Sequence, residues 1–247
     1  MRLRLPVRVI DFPRRPLVMG IVNVNDDSFS GDGTLDFDVA VALARHQAEA
    51  GADLIDVGAE SARTNRSAIP VAEEIRRLRG FVERWEEIWQ GAVPRDGIQI
   101  WPPVLSVNTW RPEVVEQILR TGKVEFVNDM GALPDDRNAR SCAAHGAALL
   151  VMHSVGVPKI PHLQQHWSDV MEARLGKFGR PVLVPVSRKT VIGEVLGLPN
   201  PTDRDAGTIA CVSVAMARGA AIFRVHQVNA AWQAIRVLSE VQLIKIS

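Results

Sequence analysis

The sequence predicts an α/β fold, a barrel of parallel strands wrapped by helices of the TIM (β/α)8 type, and three observations lead there. Short apolar runs rich in Val, Ile and Leu alternate with longer amphipathic stretches along the 247 residues. The runs end in polar residues: Asn23, Glu60, Asn108, Asn128 with Asp129, His153, Ser187, and Arg224 with His226. In a βα barrel those strand ends form a single rim, where active sites lie. No GxGxxG turn follows the first run, which disfavours the alternative, a doubly wound open sheet.

Taken in order, the N-terminal MRLRLPVRVIDFPRRP is basic but interrupted by Pro and Arg before an apolar region can form, so it does not read as a secretory leader. Buried parallel strands are expected at 17–24, 52–60, 103–109, 124–130, 147–154, 181–187 and 221–228. Helices are expected at 36–50, 71–90, 111–121, 136–145, 165–178, 203–218 and 229–242, several of them stopped by glycine (Gly51, Gly122, Gly146, Gly219). That makes one domain over 1–247 with seven identifiable strands, where a closed barrel needs eight. Between His153 and Ser187 lie 33 residues. Two helices, a strand and their loops usually take roughly 55–65. Either one βα unit is absent there, or 155–180 fills the gap irregularly.

Composition narrows the function. With 47% hydrophobic and 23% charged residues and a net charge of +1, the chain has the makings of a real core and no general attraction to nucleic acid or to an anionic membrane. No apolar run approaches the ~18 residues of a membrane span. Cys142 and Cys211 match no metal spacing and read as small core residues, which fits a reducing cytoplasm. Trp85, Trp89 and Trp101 read as packing residues.

Anion binding must therefore come from local placement, and RVHQV (224–228) supplies it. Arg224 and His226 are two apart in a strand and so share one side. NVNDDSFSGDG (23–33) is a polar loop after the first strand, and ESARTNR puts Glu60 and Arg63 after the second. SRKTVIGEVLG (187–197) passes from a strand end into a helix, so that Ser187, Arg188, Lys189 and nearby backbone N–H groups make an anion- or acyl-binding corner.

Together MGIVNVNDDSFSGDG, GADLIDVGAESAR, VNDMGAL, VMHSVGVP, PVLVPVSRKTVIGEVLG, DAGTIA and GAAIFRVHQV stand in the order, and at the barrel positions, of the dihydropteroate synthase family, which the chain resembles from about residue 16 to 240. The resemblance implies a usually dimeric, cytoplasmic barrel of folate biosynthesis. Such a barrel joins hydroxymethyl-dihydropterin pyrophosphate to p-aminobenzoate and releases pyrophosphate with Mg²⁺. It implies Asn23 beside the metal and pyrophosphate, and Arg63, Arg224 and His226 on the diphosphate. Asn128 would bond the pterin edge, Met152 pack on the ring, and Lys189 reach the pterin and, with Ser187, border the aminobenzoate pocket. No Ser-His-Asp set is needed, because an aromatic amine can attack first and lose its proton afterwards.

The chain departs from the family pattern at several points. Asn108 stands where the family has a pterin-contacting aspartate, and no DPG-type segment lies between His153 and Ser187. Ala62 replaces a threonine, RTN replaces RPG, Asn25 and Asp26 replace Thr-Pro, and Gln227 stands where aspartate is common. The diphosphate side is kept and the pterin acids are lost, at about 1.5–3 kcal/mol per charge-assisted hydrogen bond. Two alternatives follow: a non-catalytic barrel that binds a phosphorylated ligand, and a folate-to-corrinoid methyltransferase, which lacks the Ser-Arg-Lys corner.

Overall fold

A computed structural model describes residues 1–12, 14–26, 28, 31–61, 67–152 and 179–243. The alternation predicted from sequence is present. Strands β3 (Leu17–Asn23), β4 (Leu54–Gly58), β5 (Val104–Asn108), β6 (Phe126–Asp129), β7 (Ala148–Val151), β8 (Leu183–Val184) and β9 (Ile222–Val225) form one sheet in the order β7-β6-β5-β4-β3-β9-β8. Every neighbouring pair is parallel. The sheet curls into a barrel with one side open: among the described residues no strand joins β7 to β8. The expected helix at 165–178 and the rim residue His153 lie outside the described residues, as does Arg63.

Helices α1 (Phe37–Glu49), α2 (Val71–Glu83), α3 (Pro112–Leu119), α4 (Arg137–His145), α5 (Thr190–Leu196), α6 (Asp205–Ala217) and α7 (Val228–Leu243) cover the outside. The Asp36 side chain caps α1 by accepting from the N–H groups of Asp38 and Val39. Gly51 and Gly146, at φ 103° and 69°, end α1 and α4 in the left-handed region, as glycine permits. The expected helix at 71–90 divides into α2 and a 3₁₀ turn at Trp85–Ile88.

Strand parity sorts the core into two layers. Outward residues such as Val18, Val22, Ile55, Val57, Leu105, Val107, Phe223 and Val225 pack against the helices, with Trp85 among them and Trp89 and Trp101 against them. Inward residues Leu17, Met19, Leu54, Val104, Phe126 and Ile222 fill the barrel's N-terminal end.

One element has no counterpart in the sequence reading. Strands β1 (Arg2–Arg4) and β2 (Val9–Asp11) form an antiparallel hairpin that carries Leu5, Ile10 and Phe12 into that inner cluster and plugs the barrel floor. Arg8 fastens it, donating Nε and Nη2 to Glu125 at 3.0 and 2.7 Å and Nη1 to Pro102 O at 2.6 Å. Among the described residues no helix is long and apolar enough to cross a membrane.

Candidate active site

Above the apolar floor the inward positions turn polar. In register terms Asp56 of β4 lies opposite Ser106 of β5, and one layer nearer the rim Gly58 lies opposite Asn108, which lies opposite Asn128 of β6. Asp56 is fully buried and gathers this layer. It accepts from Ser106 Oγ at 2.5 Å, Asn128 Nδ2 at 2.9 Å, Asn108 Nδ2 at 3.4 Å and Arg224 Nε at 2.7 Å. Sequence reasoning missed Asp56. The signal was available, for a carboxylate sits mid-strand in ADLIDVGAE with the parity of inward Leu54.

Arg224 is bound to Asp56 through Nε, and its Nη1 and Nη2 have no partner among the described residues. Lys189 likewise has no ion-pair partner among them. Its side chain is exposed, yet desolvation by the surrounding protein, followed by the Arg224 charge, lowers its pKa. Exposure and desolvation agree if the amine lies within the concave rim and not on the convex outer surface. The two cations are thus near enough for the charge of one to disfavour the other, and among the described residues only Arg224 has a carboxylate beside it.

His226 closes the next side. Ser187 Oγ lies 2.8 Å from its Nδ1 and accepts from its backbone N–H at 3.2 Å. Desolvation, opposed by Asp32 and aided by Arg188 and Arg224, pushes the imidazole pKa down to about 4. The ring is therefore neutral at pH 7. A neutral ring that accepts the Ser187 hydroxyl hydrogen bond at Nδ1 has its own proton on Nε2, the nitrogen 3.6 Å from Asp32 Oδ2. The fold thus brings Ser187, His226 and Asp32 into line although the sequence suggested no such set. The weak Asp32 contact on the far nitrogen makes it a tether of the first loop to the last strand.

That loop folds back on β3. Asn23 Nδ2 donates to Asp32 Oδ1 at 3.0 Å and Ser28 Oγ at 3.3 Å, and Ser28 Oγ donates to Asp32 Oδ1. Gly33 is required here, since a Cβ would come within 2.4 Å of Asn25 O. Asp32 and Ser28 give this cluster oxygen ligands of the kind a hard cation takes when waters and a substrate phosphate complete its shell, while Asn23 turns its Nδ2 toward them. Among the described residues no group of three or more His, Cys, Asp or Glu could hold a metal unaided. Asp32 therefore fits Mg²⁺ as a foothold only, which Asn23 would join by turning its Oδ1 inward.

Two residues of the rim loops are committed to ion pairs, and for Arg188 that changes the sequence expectation. Arg188 does not serve the anion corner: its guanidinium pairs with Asp205 at 2.8 and 2.9 Å and its N–H donates to Thr208 Oγ1. Its backbone is left-handed, with φ at 57°, and its side chain is buried against Asp205. Glu60 stands two residues past β4, at the rim as expected, and is buried there in an ion cluster, accepting from Arg111 Nη2 at 2.6 Å and the Ile69 N–H at 2.9 Å. Glu74 meets the same arginine at 2.9 Å, and its pKa is raised chiefly by desolvation. The Met152 N–H donates to Asp129 O just past β7, which gives its side chain the inward parity of Leu150.

A family profile described as "Pterin binding enzyme" matches residues 19–176 and 163–226. The dihydropteroate synthase of Escherichia coli (strain K12) is 30% identical over 269 positions, covering 90% of each chain. The chain belongs to the dihydropteroate synthase family. The Bacillus subtilis (strain 168) dihydropteroate synthase is 29% identical over 89% of this chain and 86% of its own. Among solved structures, the Yersinia pestis dihydropteroate synthase with a sulfonamide drug complex superposes with TM-score 0.82 at 26% identity, covering 99% of this chain and 100% of that one. The Xanthomonas albilineans dihydropteroate synthase in complex with 7,8-dihydropteroate has TM-score 0.77 at 32% identity, covering 98% and 100%.

The E. coli alignment, at 269 positions, is longer than this 247-residue chain, so that synthase carries residues with no counterpart here. The two profile matches overlap at 163–176, inside the interval where the strand count falls short. As a dihydropteroate synthase family member the chain is an enzyme of the transferase class, and its barrel is that of its structural neighbours.

Proposed function

We propose that the rim binds 6-hydroxymethyl-7,8-dihydropterin pyrophosphate and p-aminobenzoate, joining them with release of pyrophosphate. The observation that carries this reading is the pair Arg224 and Lys189. One is steadied by Asp56, which also holds the buried carboxamides of Asn108 and Asn128, and keeps its Nη groups open; the other is without a counter-ion among the described residues and is made less basic by the first. A site so built holds a polyanion above a polar heterocycle.

Breaking the C–O bond to diphosphate leaves a carbocation conjugated with the pterin, and negative charge grows on the leaving oxygens. Donors aimed at those oxygens lower the barrier because they bind the departing anion more strongly than the ester. Arg224 offers Nη1 and Nη2, and His226 offers Nε2–H. Arg63 joins them in this reading. Asn128 and Asn108 bond the pterin edge, and Met152 packs on its face. Lys189, kept less basic by its surroundings, reaches the pterin and, with Ser187, borders the aminobenzoate. Mg²⁺, held by Asn23 with Asp32, would neutralise diphosphate charge.

The working molecule in this reading is a cytoplasmic homodimer. Cys142 and Cys211 are both free thiols, which suits a reducing compartment. Helix α6 is apolar on nearly every face and leaves Val214 exposed, and Val237 and Val241 are exposed on α7, against which it packs.

The test is incubation with the dihydropterin pyrophosphate, p-aminobenzoate and Mg²⁺, followed by detection of dihydropteroate and pyrophosphate. Lys189→Ala should reduce turnover at least about a hundredfold, and unchanged turnover would reject the site. No product, with pyrophosphate still bound at Arg224, would favour the non-catalytic anion-binding barrel.

A further inference from the structure

The carboxylate of Asp56 has no open surface, yet it governs what its neighbours show to a ligand. Its donors come from three strands: Ser106 and Asn108 of β5, Asn128 of β6 and Arg224 of β9. A carboxylate paired with a guanidinium can only accept. The amide nitrogens of Asn108 and Asn128, and not their oxygens, must therefore face it. A carboxamide is planar, so holding Nδ2 on one side turns Oδ1 to the other. The consequence is visible: Asn108 Oδ1 is buried with no hydrogen-bond partner, whereas Asn128 Oδ1 keeps some open surface and accepts from no described residue. A buried acceptor left without a donor is costly, which favours any ligand that supplies one. Asn108 and Asn128 are register partners, so the two acceptors are neighbours.

We propose that Asp56 is a positioning residue that sets the polarity of the site. By holding both carboxamides by their nitrogens it presents two adjacent neutral acceptors, and so selects a ring edge that carries two adjacent N–H donors. The edge of a 2-aminopyrimidin-4-one, with its exocyclic amine beside a ring N–H, meets that requirement, whereas the same ring with a 2-oxo group presents a carbonyl to an acceptor. This rests on the reading of the preceding section and adds which atom enforces the preference. It also explains how the pocket recognises such an edge with amides: the buried charge stays one layer below, on Asp56, and is balanced by Arg224.

The probes are 6-hydroxymethylpterin and 6-hydroxymethyl-lumazine, its 2-oxo counterpart, with binding to the full chain measured by calorimetry. The wild type should prefer the pterin by about a hundredfold, the scale expected when a buried polar group is left mismatched. Asp56→Asn keeps the shape but brings a donor of its own, so at least one neighbouring amide turns round and the preference should shrink at least tenfold. Ser106→Ala removes the donor on the other carboxylate oxygen. It should cost stability while leaving the preference within about threefold, which separates positioning from support. If Asp56→Asn does not fold, Asn108→Leu must lose the preference instead. A preference that survives in whichever of these two variants folds, or equal binding of both probes by the wild type, overturns the role of Asp56. A wild type that binds neither probe and makes no dihydropteroate overturns the synthase reading itself.

Discussion

His226 shows how burial, and not residue type, fixes a side chain's role. Its pKa lies near 4, below the ordinary 6.5, so the unfolded chain binds a proton that the folded one refuses. Stability from this group is complete above about pH 6.5 and is lost as pH falls toward 4, a change on the order of 2–3 kcal/mol. Urea unfolding should show that loss in the wild type, and His226→Gln should flatten it. Asn108→Asp makes the opposite case. A carboxylate at 108 would lie where Asn108 Nδ2 now sits, 3.4 Å from Asp56 Oδ2, and two such groups cannot both ionise easily in a buried site. One pKa rises, so the variant should be more stable at pH 5 than at pH 8 relative to the wild type. A flat difference would mean the pair is better hydrated than the structure shows. Asn23, Asn128, Ser187, Lys189, Arg224 and His226 were legible in the sequence because strand ends fix them at the rim. Asp56 and the pairing of Arg188 with Asp205 were not, since one depends on partners from other strands and the other on a helix end brought beside a left-handed residue.

Among the elements, the hairpin β1–β2 went unread because two three-residue strands give no periodicity to detect. Its purpose appears only in the contacts of Leu5, Ile10 and Phe12 with the barrel floor. Arg8 is its fastening, and Glu125, whose pKa desolvation raises, is only tolerable there because of that guanidinium. Arg8→Ala leaves the carboxyl partly buried and unpaired, and should lower stability by about 2 kcal/mol, moderated by the residual exposure of the pair. Glu125→Gln on that background should recover part of the loss. Because the hairpin closes the end away from the rim, substrate KM should not move, and a changed KM would mean that the two ends are coupled. The expected helix at 71–90, by contrast, was right in kind and wrong in length, since the chain tightens into a 3₁₀ turn at Trp85 where that ring enters the core.

Over the whole molecule, seven parallel strands leave β7 and β8 as edges among the described residues, and a second copy on α6 and α7 would cover apolar surface the barrel cannot. Val214→Glu should convert a dimer to a monomer in sedimentation velocity. A wild type that sediments as a monomer at micromolar concentration would reject the dimer. What the amino-acid sequence determined by itself was the alternation, the barrel and the cast of rim residues, because the two-residue period of a strand and the polar ends of apolar runs are local properties. Only the tertiary structure decided how those residues are used. Which carboxylate receives Arg224, which atom of each asparagine faces Asp56, and which carboxylate takes Arg188 depend on side chains brought together from distant elements. Hydrogen-bond direction between such groups is set by three-dimensional distance, about which linear spacing says nothing.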